Sequence, residues 1–203
     1  MNETSLSLLQ QMRQSPEQDA WDRLHKLYEP LLRKWLVRYE LQSSDADDVT
    51  QDVLLAISKD IGRFDHNGRP GAFRAWMKGI LVNRLRKFWH ARDRRATASG
   101  HSDIHRRLAE LDDPSSQMSR IWNAEHDQHV LVQLMKMVEP RVEPSTWAAF
   151  RMTAFEGVKP QVVADQLGIS LNAVLIAKSR VLSRLRQEAS GLVESSSGFL
   201  PQA

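Results

Sequence analysis

The sequence predicts an all-α protein built from two small helical domains that a flexible linker joins. Apolar residues recur at steps of three and four along most of the chain, which is the spacing of one helix face. Only nine Gly and eight Pro among 203 residues interrupt these segments. No run approaches the roughly 18 apolar residues that a membrane span needs. The N-terminus lacks the basic-then-apolar order of a signal peptide, so we expect a cytoplasmic protein without membrane insertion.

Four helices are predicted in the first half of the chain. A short one covers residues 6–12. Ser15 marks the start of the next, because a serine N-cap followed by proline favours the start of a helix. The inward face of this second helix is predicted from apolar residues at helical spacing: Trp21, Leu24, Tyr28, Leu31, Leu32, Trp35 and Tyr39. A third helix opens near Ser44. A fourth runs over about 72–92, after a loop at 64–71 that its glycines and proline indicate.

The second half is predicted to hold the linker and a second helical domain. Its helices are expected at about 122–138, 145–156, 160–167 and 171–189. Residues 96–121 are small, polar and weakly periodic, which is typical of a linker with at most one helical turn at Arg106–Leu111. The predicted division is therefore a first domain at 1–95, a linker at 96–121, a second domain at 122–190 and a disordered tail at 191–203.

The segment Val162–Lys178 fits a helix-turn-helix, the two-helix unit that places its second helix in the major groove of DNA. A glycine supplies the positive φ of the turn, and small and apolar residues pack the two helices together. The residues that suit these places are Val163, Ala164, Leu167, Gly168, Ile169, Val174 and Ala177. Ser170 is predicted to cap the second helix, near whose start Asn172 faces solvent. An ordinary helical hairpin is the alternative interpretation.

Charge is divided unevenly along the chain although the net charge is only +3. Residues 63–95 hold ten Lys or Arg against two acids, a balance of +8, whereas residues 44–60 hold five Asp and one Lys. Asp45, Asp48 and Asp52 recur at helical spacing on one stripe. The helix macrodipole favours acids in a first turn, but this does not account for Asp52. Two neighbouring patches of opposite charge indicate two different partners.

Three stretches together resemble the bacterial RNA polymerase sigma factors of the extracytoplasmic-function (ECF) class. They are "DADDVTQDVLLAI", "FRAWMKGILVNRLRKFWHARDRR" and the helix-turn-helix, in that order and at the usual separation. The resemblance covers about 16–95 and 122–190. It implies a sigma-two domain that docks on the clamp helices of the polymerase β′ subunit and melts the −10 promoter element. It also implies a sigma-four domain that reads the −35 element and touches the β flap.

The resemblance also implies roles for individual residues of the first domain. Core polymerase would be contacted by the acidic stripe, which comprises Asp45, Asp48, Gln51 and Asp52. Residues 65–71 and the helix that follows match the region that captures a flipped base of the −10 strand, a task that needs stacking surfaces and cations. The candidates for −10 contacts are Asn67, Arg69, Phe73, Arg74, Trp76, Asn83, Arg86, Lys87 and His90. For Trp76, packing in the core is an equal alternative.

The recognition helix departs from the family pattern. Many members carry a Thr-Val-Lys-Ser-Arg run where this chain has Ala173–Ala177, so that Leu175 and Ala177 replace the usual Lys and Arg. The residues expected to contact the −35 element are Ser170, Leu171, Asn172, Leu175, Lys178, Ser179 and Arg180. The family's promoter preference therefore does not carry over to this chain.

No catalytic residue, cofactor or metal site is predicted. The chain has no P-loop, no Gly-rich dinucleotide turn and no nucleophile motif. Cysteine is absent, which excludes disulfides and thiolate metal ligands. Two histidine pairs, His101 with His105 and His126 with His129, fall at helical spacing, but no third ligand is spaced nearby.

Two alternatives from other classes stay open at this point. A stand-alone helix-turn-helix regulator with an N-terminal signalling or dimerisation domain would bind duplex DNA without polymerase. A sigma mimic that holds an anti-sigma factor through the acidic helix would not need its basic residues. A sigma factor is instead expected to bind DNA weakly alone and strongly with core RNA polymerase. Its expected partners are core polymerase, promoter DNA and an anti-sigma factor.

Overall fold

The fold is all-α, as the sequence predicts. The structure is a computed structural model and describes residues 8–14, 18–64, 71–94 and 101–189, among which there is no β-strand. The helices are α1 (Leu8–Gln14), α2 (Gln18–Val37), α3 (Ser43–Asp60), α4 (Ala72–Asp93), α5 (Ser102–Asp112), α6 (Gln117–Val138), α7 (Pro144–Ala154), α8 (Pro160–Leu167) and α9 (Leu171–Ala189). The predicted helix-start signal at Ser15 and the predicted tail at 191–203 lie outside the described residues.

The helices α2, α3 and α4 form one packed unit, with α1 against α2. Their apolar stripes face inward, and Trp35 of α2, Ile57 of α3 and Leu81 of α4 are all fully buried. The opposite faces of these helices carry the charged side chains, which is the pattern of amphipathic helices around a common core. This unit therefore presents the acidic face of α3 and the basic face of α4 on one rigid support.

The region expected as a linker differs from the prediction. Residues 102–112 form the helix α5, whose Ile104, Leu108 and Leu111 are at most 2% exposed. These three residues are spaced by four and three, so they make a narrow apolar stripe that the polar residues between them hide in the sequence. The stripe packs in the core that α2, α3 and α4 share, and α5 contacts α4 and α6.

The helix α6 begins earlier than predicted and bridges the two halves of the chain. Ser116 caps it by accepting a hydrogen bond from the backbone N–H of Ser119 at 3.0 Å. Near its start, the fully buried Trp122 packs edge to face on Trp35 of α2, with 5.0 Å between ring centroids. Its later turns contact α9, and Leu134 is buried there. One buried core therefore continues from α1 to the end of α9.

The packing of α5 predicts the effect of Leu108→Ala. Because Leu108 is fully buried, we expect the substitution to lower the free energy of unfolding by about 2–5 kcal/mol, the usual result of emptying a leucine site in a core. Urea unfolding followed by circular dichroism measures this loss. The matched control is the exposed Glu110→Ala on the same helix, expected to cost less than about 1 kcal/mol. Equal, small effects of both substitutions would contradict the packed helix.

Candidate functional site

The exposed face of α3 carries a short polar stripe. Asp48, Gln51 and Asp52 are exposed, and their side chains have no hydrogen-bond or ion-pair partner among the residues that the structure describes. Helical spacing places them on adjacent turns of one face. A basic ligand could therefore pair with the carboxylates of Asp48 and Asp52 without breaking a contact among the described residues.

Asp45 is placed differently from the rest of the predicted stripe. Its carboxylate pairs with Arg92 of α4, with 3.1 Å between Nη1 and Oδ2. The neighbouring Asp47 pairs with Arg33 of α2. Both acids thus join α3 to adjacent helices. The structure brings together Asp48, Gln51 and Asp52 but engages Asp45 internally.

Leu55 extends the polar stripe by one turn and was missed in the sequence. It lies four residues after Gln51 and three after Asp52, and 52% of its surface is exposed. Its neighbour Leu54 is buried, so the two leucines face different ways. The signal in the sequence was its spacing, since Leu55 is out of step with the buried Val53 and Ile57. A single exposed leucine is common on protein surfaces, so Leu55 extends the stripe but does not by itself mark an interface.

The helices α8 and α9 have helix-turn-helix geometry. Their axes turn by 106° across the three residues 168–170, within the range of such motifs. Gly168 has a φ of 65°, the left-handed conformation that glycine adopts without strain. Ser170 caps α9, since its Oγ accepts a hydrogen bond from the backbone N–H of Ala173 at 3.1 Å. The two helices share a small core with α7, which comprises Ala149, Val163, Ala164, Val174 and Ala177.

The first two turns of α9 present a mixed face. Ser170, Asn172, Ser179 and Arg180 are exposed, and Lys178 is half-buried. Leu171 and Leu175 are 41% and 49% exposed. The structure therefore gathers all seven predicted residues on or beside the exposed part of this helix. Ile176, which is 44% exposed, extends the apolar part of the same surface and was not predicted.

The helix α4 exposes a second stripe, of opposite charge to the α3 stripe. Asn83, Lys87 and His90 are exposed at steps of four and three. Arg86 is half-buried, and its guanidinium pairs with Asp112 at the end of α5 at 2.9 Å. This α4 stripe could contact a nucleic acid along its length, because a cation and two hydrogen-bonding side chains face the same way.

Phe73 and Trp76, by contrast, belong to the packing at the start of α4. Phe73 is fully buried and packs against Tyr28 and Phe64, with ring centroids at 5.7 and 5.6 Å. Trp76 is half-buried and lies 5.0 Å from the ring of Phe64. In this arrangement Phe73 has no surface on which a base could stack. Asn67 and Arg69 lie outside the described residues.

Arg74 ends a buried chain of hydrogen bonds that links three helices. Arg74 as a residue is 4% exposed. Its guanidinium donates to both carboxylate oxygens of Asp127 on α6 at 2.6 Å. Asp127 Oδ1 also lies 2.9 Å from Nδ1 of the fully buried His126. His126 Nε2 lies 3.3 Å from the hydroxyl of Tyr28 on α2. With a neutral imidazole protonated at Nδ1, Tyr28 donates to His126 and His126 donates to Asp127, so every group is satisfied.

Burial and charge tune the protonation of this buried chain. Burial lowers the pKa of His126 below its ordinary value of 6.5, although the hydrogen bond with Asp127 opposes the change. Burial would raise the pKa of Asp127, but the hydrogen bonds from His126 and Arg74 outweigh it and hold the pKa below its usual value. Burial raises the pKa of Tyr28 well above 10.0. At neutral pH the chain therefore holds a neutral tyrosine, a neutral histidine and one ion pair.

A further group of polar side chains lies where α4 ends and α5 begins. One ligand atom from each of His90, Asp93 and His105 falls within 4.8 Å of the others. No third ligand near His105 is evident from spacing in the sequence, because these residues come from two helices and are brought together only by the fold. Two imidazoles and a carboxylate are groups that can hold a metal ion.

Residues 24–95 match the family model of Sigma-70 region 2. The match spans most of α2, all of α3 and all of α4, and therefore includes both charged stripes. This part of the chain is a sigma-70 region 2. Sigma-70 family factors act in transcription initiation, with RNA polymerase and promoter DNA as their partners. No curated protein matches the chain significantly.

The chain contains no single helix, among its described residues, that is long and apolar enough to cross a membrane. Among the described helices, only α8 and α9 taken together reach that length and composition, and they do so across their 106° bend. The helix-turn-helix lies beyond the end of the region 2 match at residue 95. Its assignment in this chain therefore depends on its geometry, which the turn angle, the left-handed glycine and the serine cap define.

The buried His126 predicts a loss of stability in mild acid. Since the pKa of His126 is lower in the folded than in the unfolded protein, the unfolded state gains protons first as the pH falls below about 6.5. Its contribution to stability is complete above that value and is lost as the pH falls toward the folded pKa. His129, whose pKa burial also lowers, acts in the same direction.

We therefore expect the urea midpoint to be lower at pH 5.5 than at pH 7.5, and the drop to be smaller for His126→Gln. Glutamine keeps a donor and an acceptor but does not titrate. The control is His25→Gln, which replaces a half-buried histidine of α2 that pairs with Glu29 and should keep the full drop of the unsubstituted protein. An identical drop in all three proteins would exclude His126 as the source.

Proposed function

We propose that this protein is an ECF-type sigma factor that binds core RNA polymerase and directs promoter recognition and opening. The observation that carries the proposal is a helix-turn-helix in the same chain as a sigma-70 region 2. The first of these units can read duplex DNA, and the second belongs to the family that associates with polymerase. We further propose that residues 1–95 serve polymerase docking and −10 recognition, and residues 122–190 serve −35 recognition.

Core docking is assigned to the exposed stripe of α3. Asp48 and Asp52 have no internal partner in the described part of the chain. A basic partner helix could therefore form ion pairs with them without displacing an existing contact. Leu55 adds an exposed apolar group beside them. A central apolar contact bordered by charged pairs is the usual composition of a specific interface. These features fit the β′ clamp helices that the family resemblance names.

Opening of the −10 element is assigned to the α4 stripe and the region before it. Asn83, Lys87 and His90 supply polar and cationic groups along one exposed face. A single strand bound there would be held by its phosphates, with bases stacked on nearby rings. Trp76 and Phe88 are half-buried rings on the same helix. Preferential binding of the unpaired strand shifts the duplex toward the open state, so no catalytic group is needed.

Recognition of the −35 element is assigned to the first turns of α9. An asparagine can bind an adenine edge through two hydrogen bonds, and apolar side chains favour the thymine methyl. Asn172 is exposed beside Leu171, and Leu175 lies one turn further along. This composition favours A·T pairs where Lys and Arg would favour G. The departure from the family's usual run therefore predicts a −35 preference shifted toward A·T.

The docking assignment predicts that Asp48→Arg/Asp52→Arg weakens binding to core polymerase at least about 100-fold, because opposed like charges cost several kcal/mol. Fluorescence anisotropy of labelled protein titrated with purified core polymerase measures the change. The control is Asp19→Arg/Asp22→Arg, which alters two exposed acids of α2 by the same charge. Unchanged binding in the α3 variant, or an equal loss in the control, would refute this assignment.

The −35 assignment predicts that Asn172→Ala lowers promoter binding by the holoenzyme about tenfold, the effect of losing a base contact of roughly 1–3 kcal/mol. Binding to core polymerase should stay intact. The control is Ser183→Ala, an exposed position about three turns further along α9. Electrophoretic mobility shift with promoters that carry or lack the −35 element is the measurement. If Asn172→Ala weakened core binding as much as promoter binding, the separation of the two roles would fail.

A further inference from the structure

Four polar residues meet where the C-terminal turn of α4 approaches the start of α5. His90 and Asp93 lie on the last turns of α4, His105 lies on the first turn of α5, and His101 directly precedes α5. Three of them bring ligand atoms within 4.8 Å of one another, namely His90, Asp93 and His105. None of these three belongs to the buried chain that ends at Arg74, and the cluster needs an explanation of its own.

The hydrogen bonds of Asp93 fix the orientation of the cluster. Asp93 Oδ2 lies 2.8 Å from Nε2 of His105, and Oδ1 lies 2.6 Å from Nδ1 of His101. The ring of His90 stacks on that of His105, with centroids 4.9 Å apart and planes inclined by 26°. The ring of His101 is packed against Trp89, at 4.4 Å. Oδ1 of Asp93 is thus held by His101, while Oδ2 lies on the side of the two stacked imidazoles of His90 and His105.

We propose that His90, Asp93 and His105 bind a divalent transition-metal ion of the zinc type, and that His101 positions the carboxylate from the far side. Two imidazole nitrogens and one carboxylate oxygen are a common protein ligand set for Zn²⁺, with the remaining position open to water. Metal binding would displace the proton shared between His105 and Asp93. Both side chains could then become ligands while the cluster keeps its arrangement. A second carboxylate oxygen held by a histidine is the kind of outer contact that orients metal ligands.

The ligand chemistry selects among cations. Imidazole nitrogen suits Zn²⁺, Ni²⁺ and Cu²⁺, whereas Mg²⁺ requires oxygen ligands in octahedral geometry. Lys87 and Arg94 border the same depression, and their charges lower the affinity for any cation. Both side chains are exposed and long enough to turn toward solvent. The site should therefore bind zinc or nickel and exclude magnesium.

A bound metal would tie the end of α4 to the start of α5. The helices already meet through Arg86, two turns before the end of α4, and Asp112 at the other end of α5, with 2.9 Å between the charged groups. Metal and ion pair together would hold α5 along α4 at both of its ends. Because the metal binds the folded chain, it would also raise the melting temperature, by roughly 5 °C or more at a hundredfold excess over the dissociation constant.

The test is calorimetric titration of the full-length protein, freed of metal with a chelator, with ZnCl₂. We expect one equivalent to bind and MgCl₂ to give no signal. Asp93→Asn and His105→Ala should each weaken zinc binding at least about 100-fold, and His101→Ala about 10- to 100-fold. The matched control is His25→Ala, which removes a half-buried histidine of α2 outside the cluster and should leave the affinity unchanged. Replacement by Co²⁺ should give visible absorption bands of a nitrogen–oxygen site.

Circular dichroism of each variant before titration separates loss of a ligand from loss of the fold. Should Asp93→Asn or His105→Ala not fold, His90→Ala keeps the test decisive. The ring of His90 is exposed and forms no hydrogen bond within the described part of the chain. The proposal is overturned if zinc does not bind stoichiometrically, if His90→Ala binds zinc as tightly as the unsubstituted protein, or if magnesium binds equally well.

Discussion

The buried chain of hydrogen bonds from Tyr28 through His126 and Asp127 to Arg74 is the constraint on which the rest of the structure depends. It lies where α6 crosses the unit formed by α2, α3 and α4. Polar groups at such a depth must find partners, and in this placement of α6 all four side chains have one. Trp122 adds an apolar contact with Trp35 on the same helix pair. Because the later turns of α6 pack on α9, this junction also orients the helix-turn-helix.

This junction decides which parts of region 2 are left exposed. Arg74 is engaged with Asp127, and such a charged hydrogen bond contributes about 1.5–3 kcal/mol. In this arrangement Arg74 therefore holds α6 in place, while the α4 stripe is the exposed surface proposed for nucleic acid. The α3 stripe lies on a separate face, so the proposed polymerase and promoter surfaces do not share side chains. A strand that used Arg74 would first have to displace α6.

The sequence predicted the features that depend on local pattern. The bounds of α8 and α9, the left-handed Gly168 and the Ser170 cap follow from short-range rules, and the structure has all of them. The acidic helix and the region 2 resemblance also rest on residues within a few turns of each other. Such features need no knowledge of how distant parts of the chain pack.

Features set by contacts distant in sequence were missed. α5 was expected as a linker because only three of its residues face the core, too few to outweigh its polar composition. The burial of Phe73 and Arg74 depends on partners in other helices, and Asp127 is 53 residues beyond Arg74. The histidine cluster likewise joins the end of one helix to the start of another.

The most direct test of the whole account is run-off transcription with purified core RNA polymerase and a library of promoters. The account predicts initiation only when this protein and core polymerase are both present, at templates with defined −35 and −10 elements. Binding to duplex DNA without polymerase, together with no initiation in its presence, would contradict it.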